Sequence, residues 1–437
     1  MKQYLPKGHP RLLGAWAFYD WANSVYSLVI ASAIFPIYYS GISKAAFEQG
    51  NVPAILANVN NESIIIVTTA IAFAIVSIIS PILSGVADYS GNKKLFLKLF
   101  CYLGGLSSIA LAFFSFDYLF ASLAVYLLAL VGFWGSLVFY NSYLPDVAHP
   151  EQQDAVSARG FSMGYIGSVI LLVICLVLIE GGIFEDQVLP TQISFVLVGV
   201  WWMGFAQYTY KYLPKGTKKD RSQVKNVWTN GFKELKHIWK QLSANLQMKR
   251  YLGAFFIYSM AVQTVMLVAT YFGTEEVAWG PDGATMGLII SILLIQLVAI
   301  VGAWLASKLS RKLGNIKTLI AINIIWALVC IYGYYVVSPI QFYITAGFVG
   351  LVMGSIQSLS RSTYSKMIPE GTTDTASYFS FYDVAEKIGI VIGMLIFAIV
   401  GEVSGSMRGS ILFLVLFFVI GIILLYRVPK VKTGSSI

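Results

Sequence analysis

Apolar runs of membrane-crossing length recur along the whole chain, and no other feature limits its folds as severely. A helix needs about 20 predominantly apolar residues to cross a bilayer. Twelve stretches qualify: 12–40, 63–87, 95–115, 119–144, 156–180, 193–212, 251–273, 284–306, 316–337, 341–367, 375–400 and 409–427. Inside lipid each backbone amide must be bonded within its own segment, so runs of this length fold as helices. Only 12% of the residues are charged and 57% are hydrophobic, whereas a soluble domain carries about 25% charged residues. The expectation is an all-α integral membrane protein of twelve transmembrane helices, numbered here as spans 1 to 12.

The few charges are sorted by side. Lys2, Lys7 and Arg11 precede span 1; Lys93, Lys94 and Lys98 follow span 2; Arg159 lies by the connection between spans 4 and 5. Eleven Lys or Arg lie from Lys211 to Arg250, and Lys308, Arg311, Lys312 and Lys317 lie between spans 8 and 9. Arg361 and Lys366 end span 10, and Arg427, Lys430 and Lys432 follow span 12. With twelve spans all of these share one face. The opposite face keeps Lys44 and Arg408, among acidic Glu48, Glu62, Asp117, Glu185, Asp186, Glu275, Glu276 and Asp282. The positive-inside rule then places both termini in the cytoplasm of a cell that carries the protein in its inner membrane. The net charge of +9 reads as this asymmetry, not as nucleic-acid binding. The short basic N-terminus runs straight into a full-length span, so no cleavable signal peptide is expected.

The longest polar interruption follows span 6. It divides the chain into residues 1–212, a basic linker at 213–250, and residues 251–437. Within the linker Trp228, Phe232, Leu235, Trp239, Leu242 and Leu246 recur at helical spacing, with Lys233, Lys236 and Lys240 largely off that face. This reads as an amphipathic helix on the cytoplasmic membrane surface, or else as a solvated linker helix. The two halves echo each other. Ser84, Asp88, Gly91, Asn92 and Lys94 after span 2 match Ser307, Arg311, Gly314, Asn315 and Lys317 after span 8. Gly135-Ser136 and Pro150-Glu151 match Gly354-Ser355 and Pro369-Glu370. Parallel six-span repeats of this kind build one class of transporter.

Polar residues inside the spans are costly and are read as functional by default. In span 1, Trp16, Asp20, Asn23 and Ser27 fall on one helical face. Asp20 and Asn23 are candidates for a coupling-ion or substrate-amine site; the alternative is a carboxyl that holds the bundle together. In span 11, Ser380, Asp383 and Lys387 share a face and Glu386 lies beside them. A carboxylate of this group is expected to pair with Lys387 or with Arg361 of span 10, as a fixed ion pair or as one released during transport. Span 10 offers Gln357, Arg361 and Tyr364, where Arg361 either captures a substrate carboxylate or snorkels to the surface. Gln263 in span 7 and Gln296 in span 8 could bind a zwitterion or serve as interhelical hydrogen-bonding glue. Tyr258, Tyr378 and Tyr382 could line the cavity. Gly160, Gly164 and Gly167 of span 5 permit close helix packing.

The loop Ser84, Asp88, Gly91, Lys93, Lys94 resembles the signature of the major facilitator superfamily. The resemblance implies that Asp88 caps the cytoplasmic start of span 11 in the outward-facing state, making Asp88, Gly91, Lys93 and Lys94 a gating motif; by their position near the end of span 4, Asn141 and Tyr143 could belong to the same gate. In the second half Arg311 stands where the acid would be. Several further segments are similar to the vacuole-effluxer-like branch, which includes autophagy-related amino-acid effluxers of fungal vacuoles and bacterial relatives. They are WAFYDWANSVYSLVIASAIFPIYY in span 1, VFYNSYLPDVA at 138–148, SARGFSMGYIGS at 157–168, VWWMGF at 200–205, FFIYSMAVQTVMLVAT at 255–270 and SIQSLSRSTYSKMIP at 355–369. Met260-Ala261 stands where that branch often has Asp-Gly, so span 7 lacks an acidic residue. Short loops match the bacterial kind. The resemblance implies two pseudo-symmetric six-helix halves and solute export, with amino acids the class for the fungal members.

Other functions lose their parts list. No GxxxxGK[ST] is present for an ATP-driven pump, and no HExxH or GxSxG for a membrane hydrolase. His9, His149 and His237 fall in cytoplasmic segments, and Cys101, Cys175 and Cys330 sit singly in apolar runs, so neither metal nor cofactor is expected. The expected protein is a monomeric secondary carrier exporting a small solute by alternating access, with protons as the candidate coupling ion. The competing expectations are a transporter-like sensor or scaffold acting through 211–250, and the same fold carrying a sugar, drug or lipid-like solute.

Overall fold

The computed structural model describes residues 5–50, 52–56, 59, 61–216, 227–280 and 283–429. Lys2, Lys218, Lys219, Arg221, Lys225, Asp282, Lys430 and Lys432, and the side chains of Glu62 and Trp228, lie outside the described residues. Twelve helices have the length and composition to cross a membrane, and no strand occurs among the described residues. Spans 1 to 6 are Pro10–Glu48, Ser63–Ser90, Lys93–Phe113, Leu119–Val147, Pro150–Glu180 and Val188–Tyr212. Spans 7 to 12 are Leu246–Glu276, Gly283–Leu313, Asn315–Tyr334, Pro339–Met367, Thr375–Ser404 and Met407–Tyr426.

Most spans run past the apolar limits read from the sequence, because helical hydrogen bonding continues after apolarity stops. Span 5 is the clearest case. It starts at Pro150, not at residue 156, and the His149 amide is capped by Gln152 Oε1 at 3.1 Å. Proline at the first helical position costs no hydrogen bond, since that amide has no helical partner. The extra turns carry Asp154, which becomes important below. Span 1 departs in another way. It is α-helical over Pro10–Val25, π-helical over Tyr26–Ile34 and α-helical again over Phe35–Glu48. Ser27 falls in the π-helical stretch, partly buried, and its carbonyl accepts from Ser32 Oγ at 2.9 Å.

Buried apolar side chains form two clusters. One runs from Leu12 to Leu213 and adds Ala376; the other runs from Ile238 to Val428 and adds Tyr165. Span 5 packs against spans 8 and 10, and span 2 against span 11, which joins the clusters. The turns after spans 2 and 8 place Gly91 and Gly314 at φ +65° and +82°, a region glycine enters without steric cost.

Residues Val227–Ala244 form a linker helix. It lies on span 2 and also touches spans 7 and 11. Its docked face is Gly231, Glu234, Ile238 and Leu242, all buried. Of the apolar face read from the sequence, Leu242 is buried, Leu235 is partly buried, and Phe232, Trp239 and Leu246 are half exposed. The small Gly231 permits the approach, since a Cβ there would meet the Val86 amide at 3.0 Å.

Candidate functional site

Three carboxylates of the first half reach across to donors of the second, near the span ends that carry the Lys and Arg residues. The deepest is Asp20. Trp16 Nε1 donates to the Tyr140 carbonyl at 3.0 Å, and the two rings stack at 4.6 Å. This holds the Tyr140 hydroxyl on Asp20 Oδ2 at 2.8 Å. Arg361 of span 10 reaches the same oxygen at 3.2 and 3.3 Å. Its remaining N–H groups go to Ser157 Oγ at 2.9 Å, the Ser157 carbonyl at 3.0 Å and Asn141 Oδ1 at 3.1 Å. A guanidinium has five N–H donors, and all five are used. Arg361 is 2% exposed, so it does not snorkel. It pairs with Asp20, not with Asp383 or Glu386. Gly160 opens the path: a Cβ there would stand 2.5 Å from Asp20 Oδ2 and 3.1 Å from the guanidinium.

The second tie is Asp88. Its carboxylate accepts from the backbone amides of Ala376 at 3.2 Å and Ser377 at 2.7 Å, at the start of span 11. A helix N-terminus offers unbonded amides and a positive dipole end, both suited to a carboxylate. Lys93 donates to Thr375 Oγ1 at 2.5 Å and pairs with Asp146. Lys94 donates to the Leu213 carbonyl at 2.9 Å, tying the linker's start to the same corner.

The third tie was not read from the sequence. Asp154 accepts from Lys366 Nζ at 2.6 Å, Ser310 Oγ at 2.8 Å and Asn315 Nδ2 at 2.9 Å. Asn315 is the repeat-mate of Asn92. The second-half loop lacks an acid of its own, with Arg311 exposed, and Asp154 of span 5 meets that loop from the other half instead. Placing the start of span 5 at Pro150 would have put Asp154 one turn before Ser157, on the inward face.

About 12–18 Å into span 11 by helical rise lies a different arrangement. Lys387 Nζ is 3.0 Å from Asp383 Oδ1 and 2.7 Å from Glu386 Oε2. Lys387 is fully buried, and its ammonium lies 3.8 Å from the centre of the Trp134 ring of span 4. Gln263 of span 7 donates to Glu386 Oε1 at 2.8 Å. Asp383 Oδ2 has no hydrogen-bond partner among the described residues. Two carboxylates thus share one ammonium, leaving one formal negative charge. Gln357 accepts from Tyr165 across the halves at 2.8 Å. Both amide atoms of Asn23, and Gln296 Oε1, are buried without a partner among the described residues. The tyrosines are spent on packing: Tyr258 bonds Ser360 at 2.7 Å, Tyr378 bonds Gln241 at 2.7 Å, and Tyr382 stacks on Phe255 at 4.0 Å. No cluster of metal-ligating side chains occurs among the described residues.

Comparison with known proteins follows this geometry. A family model described as "Vacuole effluxer Atg22 like" matches residues 9–153 and 148–435. An uncharacterized MFS-type transporter, YxiO of Bacillus subtilis (strain 168), is 31% identical over 426 residues, covering 95% of this chain and 94% of that protein. Autophagy-related protein 22 of Coccidioides immitis (strain RS) is 22% identical, covering 75% of this chain and 66% of that one. Among solved structures, the major facilitator superfamily transporter FucP in its outward conformation superposes with a TM-score of 0.67. It is 14% identical, and the match covers 96% of this chain and 99% of that one.

Proposed function

Since this chain belongs to the Atg22-like vacuole effluxer family and has the major facilitator fold, we propose that it exports a small zwitterionic solute of the amino-acid class, by alternating access coupled to protons. Family and fold are those of membrane transporters, not of enzymes. The observation that carries the finer reading is the span-11 cluster, in which Asp383 and Glu386 share the Lys387 ammonium. One negative charge in excess, in a buried place, attracts either a proton or a substrate ammonium. A proton taken there frees a carboxylate from Lys387, and the two cations compete for one position. That competition is what couples solute movement to a proton gradient. Gln263, already bonded to Glu386, can turn its amide toward a substrate carboxylate.

The three ties supply the moving part. Asp20, Asp88 and Asp154 close the basic face, and the charge asymmetry supports a cytoplasmic side for that face. Opening toward that side requires all three to release their partners, so these are gate residues in this reading. Asp20 therefore moves from candidate ligand to lock. Asn23, one turn deeper and without a protein partner, takes its place as the span-1 contact for solute.

The full chain in liposomes tests this. A labelled amino-acid mixture should cross faster under an imposed pH gradient than without one. Glu386→Gln should lose that acceleration while retaining exchange of solute across the membrane. Equal rates with and without the gradient in the parent, or an unaltered Glu386→Gln, would remove proton coupling. Absence of amino-acid movement alongside movement of a sugar or organic anion would replace the solute class.

A further inference from the structure

The linker helix has a second exposed surface that the transport cycle does not use. Around its circumference three strips follow one another at the helical step. Gly231, Glu234, Ile238 and Leu242 are docked on the bundle. Next come Phe232, 52% exposed, Leu235, and Trp239, 53% exposed. Beyond them stand Lys233, Lys236 and Lys240, all exposed. The docking fixes the helix's position along spans 2 and 11. Gly231 lies over Gly85, five residues before the end of span 2, and Trp239 packs on Phe381 at 5.2 Å, six residues into span 11. By helical rise both contacts are about 8–9 Å inside the span ends. An interfacial helix buries its apolar side at the boundary of headgroups and acyl chains, with its basic side at the headgroups.

We propose that this surface binds anionic phospholipid headgroups of the leaflet at the basic face, through Lys233, Lys236 and Lys240, with Phe232 and Trp239 seated among the acyl chains. Three ammonium groups on one strip favour an anionic headgroup over a zwitterionic one. The apolar strip beside them favours a lipid over a soluble anion. The bound lipid acts on the gate. Gly231 rests on span 2 three residues from Asp88, and Gln241 accepts from Tyr378 beside the Asp88-capped start of span 11. Holding this helix down braces both sides of the Asp88 tie. The inference does not depend on which solute is carried.

Native mass spectrometry of the detergent-purified full chain, offered phosphatidylglycerol and phosphatidylcholine together, reads the preference directly. The parent should retain phosphatidylglycerol over phosphatidylcholine by about fivefold for each lysine engaged. K233Q/K236Q/K240Q should bind both lipids equally, with an unchanged melting temperature in phosphatidylcholine. F232S/W239S should lose both lipids alike. If the triple variant does not fold, K236Q alone should show an intermediate preference. Equal retention by the parent, as expected if the strip instead receives a protein partner, overturns the proposal. So does a preference that survives the triple variant, or the single one if the triple cannot be made.

Discussion

Asp20 and Arg361 show what a single buried pair demands of its surroundings. The two lie 341 positions apart, on spans 1 and 10. Their meeting needs a glycine at 160, a hydroxyl at 140, and the hydroxyl and carbonyl of Ser157 with the amide oxygen of Asn141 to use every N–H. Removing one partner of a buried pair costs about 3–5 kcal/mol, because the other charge stays buried alone. Arg361→Ala should therefore lower the melting temperature sharply, while the Asp20→Ala/Arg361→Ala double variant costs less than the sum of the singles. Gly160→Ala should resemble Asp20→Ala, since its Cβ would crowd both the carboxylate and the guanidinium. If it melts like the parent, the close approach is not what joins them. Asp20 and Arg361 were both legible as costly polar residues in a membrane. Their pairing was not, because spacing reports which residues share a face of one helix and is silent on which helix faces it.

At the level of elements, the length of apolar runs located all twelve spans, since a hydrocarbon layer imposes one length on every crossing. It failed where the rule was something other than apolarity. The π-helical turn in span 1 changes which residues share a face without changing composition. The start of span 5 was set by proline and a cap. The linker helix docks through a glycine and a buried glutamate beside Ile238 and Leu242, a face that apolar spacing did not pick out, because close approach of two backbones selects for small size. Gly85→Val tests that last point. Its Cβ would run into the Gly231 carbonyl, so the helix should lift from span 2. Limited proteolysis should then cleave within 227–244 faster than in the parent. Equal cleavage would mean the helix holds through Ile238 and Leu242 alone.

The whole molecule is two similar bundles closed at one face by three ties. A charge-assisted hydrogen bond contributes about 1.5–3 kcal/mol, so losing one should shift the open fraction about tenfold or more. Ser377 is fully buried beneath Asp88, which makes Ser377→Cys a reporter of that shift. A water-soluble thiol reagent applied at the basic face should label it slowly in the parent and about tenfold faster when Asp88→Asn or Asp154→Asn is added. Unchanged labelling in both would separate these carboxylates from the gate. The echo between repeats was visible in Ser84 to Lys94 and Ser307 to Lys317, and it suggested that Arg311 left the second loop incomplete. What the echo concealed is that Asp154 completes it from outside. The acids of the three ties thus all belong to one bundle, and every donor that reaches them across the interface belongs to the other, like a plug and its socket. The repeats share a fold but are not interchangeable: two copies of the first, joined by the same linker, would lack Arg361 and Lys366, the cations that meet Asp20 and Asp154.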